Sequence, residues 1–459
     1  MVLKNKTVLV LGLGITGVSS AKALSSLKAK VVVCDNKTKD QLTKYIDELK
    51  DYEICYKLGG MDIELEDIDL IVKSPGVPLD VEVLKKAYEK GIEVVTDIEL
   101  AYRLCNNKFI AISGTNGKTT TTALLGKILK NNNMNVHVTG NIGVGILWEI
   151  VNSNDDDIFV IEASSFQLEN TKSFKPKVSV LTNITPDHIN WHKSFDNYVK
   201  AKKKIYKNQD SDDYTVLNYN DAILNKAKEE IKSNIIFFSS TEKLDEGVYI
   251  DGEYIVINMN GNYQRVMKYK DIRMIGKHNL ENSLAAICVA WAIGVDFEII
   301  AETLREFKGI EHRFEEVACI NGAKYYNDSK GTNPDSSISA LEALNKPIIL
   351  IAGGYDKGSD FEAFIKAFDG KVEALILLGE TAKQIQNTAI NLGFDNIYKV
   401  RDMCEAVNTA YTLSREGSNV LLSPACASWD MYDNFEIRGT HFKKCVEDLR
   451  RLEDGQKEG

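Results

Sequence analysis

The sequence predicts an α/β protein built on mainly parallel sheets, and three observations predict it. Short apolar runs bounded by glycine or polar turns alternate with helix-like segments along almost all of the 459 residues, the pattern of successive βαβ units. Two of these runs pass directly into glycine-rich loops, Gly12-Leu13-Gly14-Ile15-Thr16-Gly17 and Gly114-Thr115-Asn116-Gly117-Lys118-Thr119-Thr120. Others stop on polar residues, and in an open parallel sheet the carboxyl ends of the strands are where ligands sit.

The first unit reads as a strand, Thr7-Val8-Leu9-Val10-Leu11, then the first glycine loop, a helix to about Leu27 and a strand Val31-Val32-Val33 ending at Asp35. A later strand, Ile68-Asp69-Leu70-Ile71-Val72, meets Ser74-Pro75-Gly76-Val77-Pro78, whose prolines and glycine enforce a loop. A second series begins with Phe109-Ile110-Ala111-Ile112-Ser113 before the second glycine loop. It continues with strands Ile158-Phe159-Val160-Ile161-Glu162 and Val178-Ser179-Val180-Leu181-Thr182. A third series, past Gly309, has strands at residues 323–326, 347–352, 374–378 and 420–422. A chain this long exceeds what one core supports, so boundaries are placed near 105 and 309. The domains expected are 1–105, 106–309 and 310–459, with the polar tail from Glu453 onward frayed.

Composition narrows the function. With 44% hydrophobic and 27% charged residues the chain is an ordinary globular protein. A formal charge of -10 argues against a nucleic-acid or anionic-membrane surface, which would need a basic face. No apolar run approaches the roughly 18 residues of a membrane span, and the start of the chain has no leader-like apolar segment. The eight cysteines, at 34, 55, 105, 288, 319, 404, 426 and 445, have no zinc-like spacing and read as small buried hydrophobes in a reducing, cytoplasmic setting.

The loop at 114–120 carries the strongest chemical signal. Glycines let backbone N–H groups wrap phosphate oxygens, Lys118 reaches the β- and γ-phosphates, and the hydroxyl after it holds Mg²⁺, so the loop points to a nucleoside triphosphate. Its spacing departs from the general P-loop, with two residues where that template has four between the first glycine and the Gly-Lys pair. The loop at 12–17 with Asp35 about 20 residues on matches a dinucleotide-binding pattern, although such a loop grips any diphosphate and also serves as a plain tight turn. Glu162, ending a strand beside the phosphate loop, is a candidate Mg²⁺ ligand. Asp187-His188 would lie at the same edge, where a lone histidine is equally well structural. The lysines at 200, 202, 203, 204 and 207 read by themselves as a solvated helix face. In the third region, His312-Arg313-Phe314-Glu315, Asn327-Asp328-Ser329-Lys330-Gly331-Thr332 and Gly353-Gly354-Tyr355-Asp356-Lys357-Gly358 are either ordinary turns or an anion site. Cys426, in Ser423-Pro424-Ala425-Cys426-Ala427-Ser428, has no histidine partner in sequence and ranks low as a nucleophile.

The ordered set Gly-Thr-Asn-Gly-Lys-Thr-Thr, Glu-Ala-Ser-Ser-Phe-Gln-Leu-Glu, Asn-Ile-Thr-Pro-Asp-His, Gly-Lys-His-Asn (276–279), Glu-His-Arg-Phe-Glu and Asn-Asp-Ser-Lys-Gly-Thr resembles the Mur ligases over essentially the whole chain. The resemblance implies three domains: an N-terminal Rossmann-like domain for a uridine nucleotide, a central P-loop ATPase with a mainly parallel sheet, and a C-terminal Rossmann-like domain for the amino acid. Gly-Leu-Gly-Ile-Thr-Gly-Val-Ser, Ser-Pro-Gly-Val-Pro and Ser-Pro-Ala-Cys-Ala-Ser-Trp-Asp look like the member that adds D-glutamate to UDP-N-acetylmuramoyl-L-alanine through an acyl phosphate. It also implies ATP, Mg²⁺ as two ions, and no nucleic-acid or membrane partner for a monomeric chain. Residue by residue, the likeness gives Gly114, Thr115, Asn116, Gly117, Lys118, Thr119 and Thr120 to ATP, with Asn282, Arg313 and Asp328 as further nucleotide contacts. Thr119 and Glu162 match the metal ligands, and His188 a second-metal ligand or substrate contact. Lys202 matches a position that the family carries as a carbamylated, metal-binding lysine. Lys118, His188, Lys202 and Lys330 are thereby expected to be catalytic. Lys330, Thr332, Lys357, Ser428 and Phe435 resemble contacts to phosphate and D-glutamate. Ile15, Thr16, Asn36, Lys37 and Gly76 match uridine-diphosphate contacts, and Asn141 is a further substrate contact. Some relatives have Thr-Arg at Asn36-Lys37, and a lysine there replaces a bidentate fork by a point charge. Outside this family, the first glycine loop and Asp35 by themselves fit a nicotinamide-dependent dehydrogenase.

Overall fold

The computed structural model describes residues 1–141, 144–356 and 358–457, with side chains as far as Glu453. Among these residues the strands form three sheets. The first holds β1 (Thr7–Leu11), β2 (Lys30–Asp35), β3 (Ile54–Leu58), β4 (Leu70–Lys73) and β5 (Glu93–Val95) in the order β3-β2-β1-β4-β5, every pairing parallel. Val8, Leu9, Val10 and Leu11 are wholly buried, as a strand covered on both faces requires. The strand order reverses between β1 and β4, which opens a crevice at their carboxyl ends. Helix α1 (Ile15–Ser26) follows β1, and α2 (Asp97–Leu104) follows β5.

The second sheet contains β6 (Lys108–Ser113), β7 (Val136–Gly140), β8 (Ile158–Glu162), β9 (Val178–Leu181), β10 (Tyr214–Asn218), β11 (Asn234–Ser239), β12 (Gly247–Asp251), β13 (Tyr254–Met259) and β14 (Asn262–Lys268). Its order is β14-β13-β12-β11-β10-β9-β6-β8-β7, so β6 sits inside the sheet between β9 and β8. The expected parallel sheet holds from β7 to β12. Beyond it β13 and β14 run antiparallel. The cause is local: Met259 pairs with Asn262 around Asn260-Gly261, whose φ values of 54° and 75° suit a two-residue hairpin turn. Helices α3 (Lys118–Asn131), α4 (Ile146–Val151), α5 (Ser165–Glu169), α6 (Ile189–His192) and α7 (Phe195–Lys203) belong to this part of the chain.

The third sheet holds β15 (Glu315–Ile320), β16 (Ala323–Asn327), β17 (Ile348–Ala352), β18 (Val372–Leu377), β19 (Ile397–Lys399) and β20 (Asn419–Leu422) in the order β15-β16-β20-β17-β18-β19, with only β15 antiparallel. Helices α8 (Met403–Leu413) and α9 (Phe435–Lys457) pack with Phe442, Val446, Met403 and Val407 in one apolar cluster. The tail expected to fray from Glu453 is instead the last turn of α9 as far as Lys457.

The chain divides into two compact units, Met1–Ile272 with Leu280–Glu306, and Arg273–Asn279 with Phe307–Gly459. In the first unit the first two sheets share one core, in which Leu24 of α1, Leu100 of α2, Leu147 of α4, Phe109 and Phe159 belong to a single buried cluster. Each such side chain contributes on the order of 1.5–3 kcal/mol on burial. Ser19 of α1 fixes the approach of α4: its Oγ donates to the Gly145 carbonyl at 2.6 Å and accepts from the Trp148 N–H at 3.0 Å. The reading of the cysteines as uniformly buried free thiols needs correction. Cys55 and Cys319 are exposed, and Cys404 and Cys445 form a disulfide because α8 and α9 bring their Cα atoms to 5.3 Å. No helix among the described residues is long and apolar enough to cross a membrane.

Candidate active site

β6, flanked by β9 and β8, delivers the chain into the loop at 114–120 at the carboxyl edge of the second sheet. Gly114 and Gly117 have φ of 140° and 86°, a region closed to most side chains. A Cβ on Gly114 would stand 2.0 Å from Thr182 Oγ1, and one on Gly117 would stand 2.2 Å from Asn282 Oδ1. Asn282 therefore packs against the loop that the sequence assigns to ATP. The loop is tied down from β9: Thr182 Oγ1 donates to the Asn116 carbonyl at 2.6 Å, and Asn183 Oδ1 accepts from the Asn116 N–H at 2.8 Å. α3 starts at Lys118, so the N–H groups and positive dipole end of a long helix face the loop, an arrangement made for anions. Lys118 Nζ lies over this turn, donating to the carbonyls of Gly114 and Thr115 at 3.0 and 2.8 Å.

β8 runs beside β6 with Glu162 opposite Ile112, which sets Glu162 at the same edge. Its side chain is buried. Oε1 accepts from Asn141 Nδ2 at 2.9 Å, while Oε2 has no hydrogen-bond partner among the described residues. A buried carboxylate oxygen left so is costly unless a cation supplies the missing interaction, and a hard divalent ion takes oxygen ligands of this kind. Glu162 and the buried hydroxyl-bearing Thr119 thus fit Mg²⁺.

Lys202 does not lie on a solvated face. α7 turns it inward, where it is 2% exposed and donates to the Gly114 carbonyl at 2.6 Å, with its ammonium 4.7 Å over the Tyr198 ring. Burial, and then the positive charge of Lys118, hold its amine well below the usual lysine range. His188 opens α6 in a left-handed conformation, φ 52°, with its side chain half exposed and its ring 4.8 Å from Phe166. Two further residues of this edge escaped the sequence reading. His192, one turn beyond His188, is buried, hydrogen-bonded to Ser165 Oγ at 2.9 Å and pushed down to about 4 by burial and by the positive charge of His188 and Lys202. Tyr198 shares a 3.0 Å hydrogen bond with the loop residue Thr115. The spacing His188-x-x-x-His192, one helical turn, was the available signal.

In the first sheet, Asp35 accepts from the Leu13 N–H at 2.7 Å and the Lys37 N–H at 2.9 Å. One oxygen ties the glycine loop to the end of β2 and the other holds the turn just after it, so the carboxylate that the dehydrogenase reading assigns to a ribose is already engaged by backbone N–H groups. Ser74 Oγ donates to the Gly12 carbonyl at 2.9 Å and joins the two loops of the crevice. Ile15, Asn36, Lys37 and Gly76 are exposed around this crevice, and Thr16 is half-buried. Beneath them lies Lys73, also missed. Wholly buried, it donates to the carbonyls of Val77 at 2.8 Å and Ser74 at 3.1 Å, and burial pushes its amine down to about 8.

In the second unit, Asp328 is buried at the end of β16 and accepts from Ser423 Oγ at 2.7 Å and the Phe314 N–H at 3.2 Å. Burial pushes its carboxyl up to about 6, against the opposing charge of Arg313. Lys330 Nζ lies 5.4 Å over the ring of Phe435, Ser428 is buried, and Thr332 is half-buried. Lys357 lies outside the described residues. Arg438 organises this region: its guanidinium donates to the carbonyls of Ser329, Cys426 and Ala427 at 2.8, 3.1 and 3.1 Å. Burial pushes the Cys426 thiol up to about 11, which disfavours the thiolate a nucleophile needs.

Comparisons with known proteins identify the family. Family models cover residues 6–96 (Mur ligase MurD-like, N-terminal domain), 112–290 (Mur ligase middle domain) and 312–426 (Mur ligase, glutamate ligase domain). The UDP-N-acetylmuramoylalanine--D-glutamate ligase of Thermoanaerobacter sp. strain X514 is 51% identical over 454 residues, 98% of this chain and 100% of that protein. The chain belongs to the Mur ligase family. The ligase of the same name from Alkaliphilus oremlandii is 49% identical over 455 residues, again 98% of this chain and 100% of its own. Among solved Mur ligases, UDP-N-acetylmuramate-alanine ligase from Thermotoga maritima has a TM-score of 0.59 at 20% identity, covering 97% of this chain and 99% of its own. The MurF ligase from the same organism, solved in complex with ADP, has a TM-score of 0.60 at 17% identity, covering 98% and 99%. At such identity these two establish the shared Mur ligase fold. As a Mur ligase the chain is an ATP-dependent ligase of peptidoglycan precursor synthesis.

Proposed function

We propose that this Mur ligase joins D-glutamate to UDP-N-acetylmuramoyl-L-alanine. The observation that carries the reading is full-length identity of about half with ligases of that name, together with the convergence of Lys118, Lys202, Glu162 and the 114–120 loop at one sheet edge. The obstacle to the reaction is charge, because an anionic γ-phosphate must approach a carboxylate. The loop N–H groups and Lys118 hold the phosphates and spread the developing charge. The alanyl carboxylate oxygen takes the γ-phosphoryl group, giving an acyl phosphate and ADP. The amine of D-glutamate then attacks the acyl carbon and loses a proton, and inorganic phosphate leaves the tetrahedral intermediate. Mg²⁺, as two ions, would be held by Thr119, Glu162 and His188 and would neutralise phosphate charge when bound. Burial lowers the Lys202 amine and so favours its unprotonated form, the one that reacts with carbon dioxide, which suits Lys202 to carbamylation and to a ligand role of reversed sign.

Asn282, Arg313 and Asp328 are assigned to the nucleotide. Lys330, Thr332, Lys357, Ser428 and Phe435 are assigned to phosphate and D-glutamate, and Ile15, Thr16, Asn36, Lys37, Gly76 and Asn141 to the uridine substrate. Domain limits are proposed near 105 and 309, and the working form is a cytoplasmic monomer. The test is product analysis with UDP-N-acetylmuramoyl-L-alanine, ATP and a panel of amino acids. Turnover with D-glutamate alone supports the assignment; turnover with another amino acid but not D-glutamate overturns it.

A further inference from the structure

We propose that Cys404, Cys445 and His441 form a reversible thiol–disulfide exchange site on the second compact unit, taking a small thiol/disulfide couple as its reaction partner. Cys404 stands in the first turn of α8, where the helix dipole favours a thiolate, and it is half-buried. Cys445, on α9, is 6% exposed. The two are joined in the structure, and a third group faces both sulfurs. His441 Nε2 lies 3.6 Å from Cys404 Sγ, and all three reactive atoms fall within 4.8 Å of one another. His441 is held in place from behind by Tyr432, whose hydroxyl is 2.9 Å from Nδ1. Burial, against the positive charge of Arg438 and with help from Asp402 and Asp430, keeps the Tyr432 phenol above its ordinary range, so it remains a neutral hydrogen-bonding partner. The helices do not depend on the bridge for contact, because Met403, Val407, Phe442 and Val446 pack between them in the apolar cluster. The bond can therefore open without α9 leaving the sheet.

These positions divide the labour between the two sulfurs. The accessible Cys404 thiolate attacks one sulfur of an external disulfide, forming a mixed disulfide and expelling a thiolate. Cys445 passes its proton to His441 and attacks the Cys404 sulfur. The second external thiolate leaves and takes the proton from His441. One protein thiolate, one protein thiol and one external disulfide become one protein disulfide, one external thiolate and one external thiol, and reduction runs the same steps backward. Closure of a loop spanning 41 positions restricts the unfolded chain, so the oxidised form is the more resistant to unfolding.

The experiment equilibrates the full-length enzyme in buffers of reduced and oxidised glutathione and follows free thiols and peptide masses. The expected result is a Cys404–Cys445 cross-link that appears and disappears with the glutathione ratio, with a thermal midpoint higher by about 5 °C or more in the oxidised form. Cys445→Ser should trap glutathione on Cys404, whereas Cys404→Ser should leave Cys445 unmodified. His441→Gln should slow cross-linking at least about tenfold at neutral pH with an unchanged circular dichroism spectrum. Equal rates in wild type and His441→Gln would overturn the role of the histidine. Thiols that stay free at every glutathione ratio would overturn the site. One equivalent of Zn²⁺ retained by the reduced enzyme, with loss of thiol reactivity, would replace it by a metal centre.

Discussion

Lys118 and Lys202 show how two identical side chains acquire different work from their surroundings. Lys118 opens α3 and reaches over the phosphate loop, so Lys118→Ala is expected to cut phosphate release from ATP at least about a hundredfold while the circular dichroism spectrum is unchanged. Lys202 is enclosed, and Lys202→Ala is expected to be inactive and partly restored by adding a small carboxylic acid in place of the lost carbamate. Assays with and without acetate check this, and absence of rescue would count against carbamylation. His137 gives a residue-level test of stability. It lies 2.8 Å from both Glu149 and Asp157, and although burial opposes its charge, those two hydrogen bonds hold its imidazole above the usual histidine range. A histidine raised on folding stabilises fully below its unfolded value and loses that contribution as pH climbs through its folded value. His137→Gln should therefore cost about 1 kcal/mol in urea unfolding near pH 6, and the gap from wild type should narrow as the pH rises through the folded value of His137.

At the scale of elements, the crevice loops after β1 and β4 are held by groups that never reach their surface. Lys73 ends β4 and points back beneath the 74–78 loop to hold two of its carbonyls. Lys73→Met would leave those carbonyls unpaired, and its expected effect is a rise of roughly tenfold in KM for the uridine substrate with kcat changed much less. Initial rates at varied uridine substrate with saturating ATP and D-glutamate measure it; equal losses in both constants would place Lys73 in the chemistry instead. The same scale explains what a sequence hides. Strands such as β1, β6 and β8 are long apolar runs with a loop signature behind them, and they lie where periodicity puts them, to within two residues. β3 alternates half-buried and exposed residues with no continuous apolar run, and β5 and β19 are only three residues long, too short to give a periodic signal. The β13–β14 hairpin went unread although Asn260-Gly261 carried a turn signal for it, and its antiparallel place at the edge of a parallel sheet had no local signal at all.

For the whole molecule, ligand binding should appear as stability. Mg²⁺ with ATP at about 100 times its dissociation constant should stabilise the full chain by about 2.7 kcal/mol in thermal unfolding. Addition of EDTA should remove the part of that shift due to the ion; a shift indifferent to EDTA would argue against metal-assisted nucleotide binding through Thr119 and Glu162. The sequence by itself determined the α/β class, the glycine loops, the family and the strand ends that carry polar residues. These follow from short-range facts: side-chain periodicity, the freedom of glycine and the order of motifs. Only the tertiary structure decided that Lys202 is buried beside Gly114, that Asp35 is engaged by backbone N–H groups, that Lys73 and Arg438 support loops from below, and that Cys404 meets Cys445. Each of these depends on how the folded chain encloses a residue, and burial, hydrogen bonding and the resulting shifts in acidity are set by those surroundings rather than by the residue's own type.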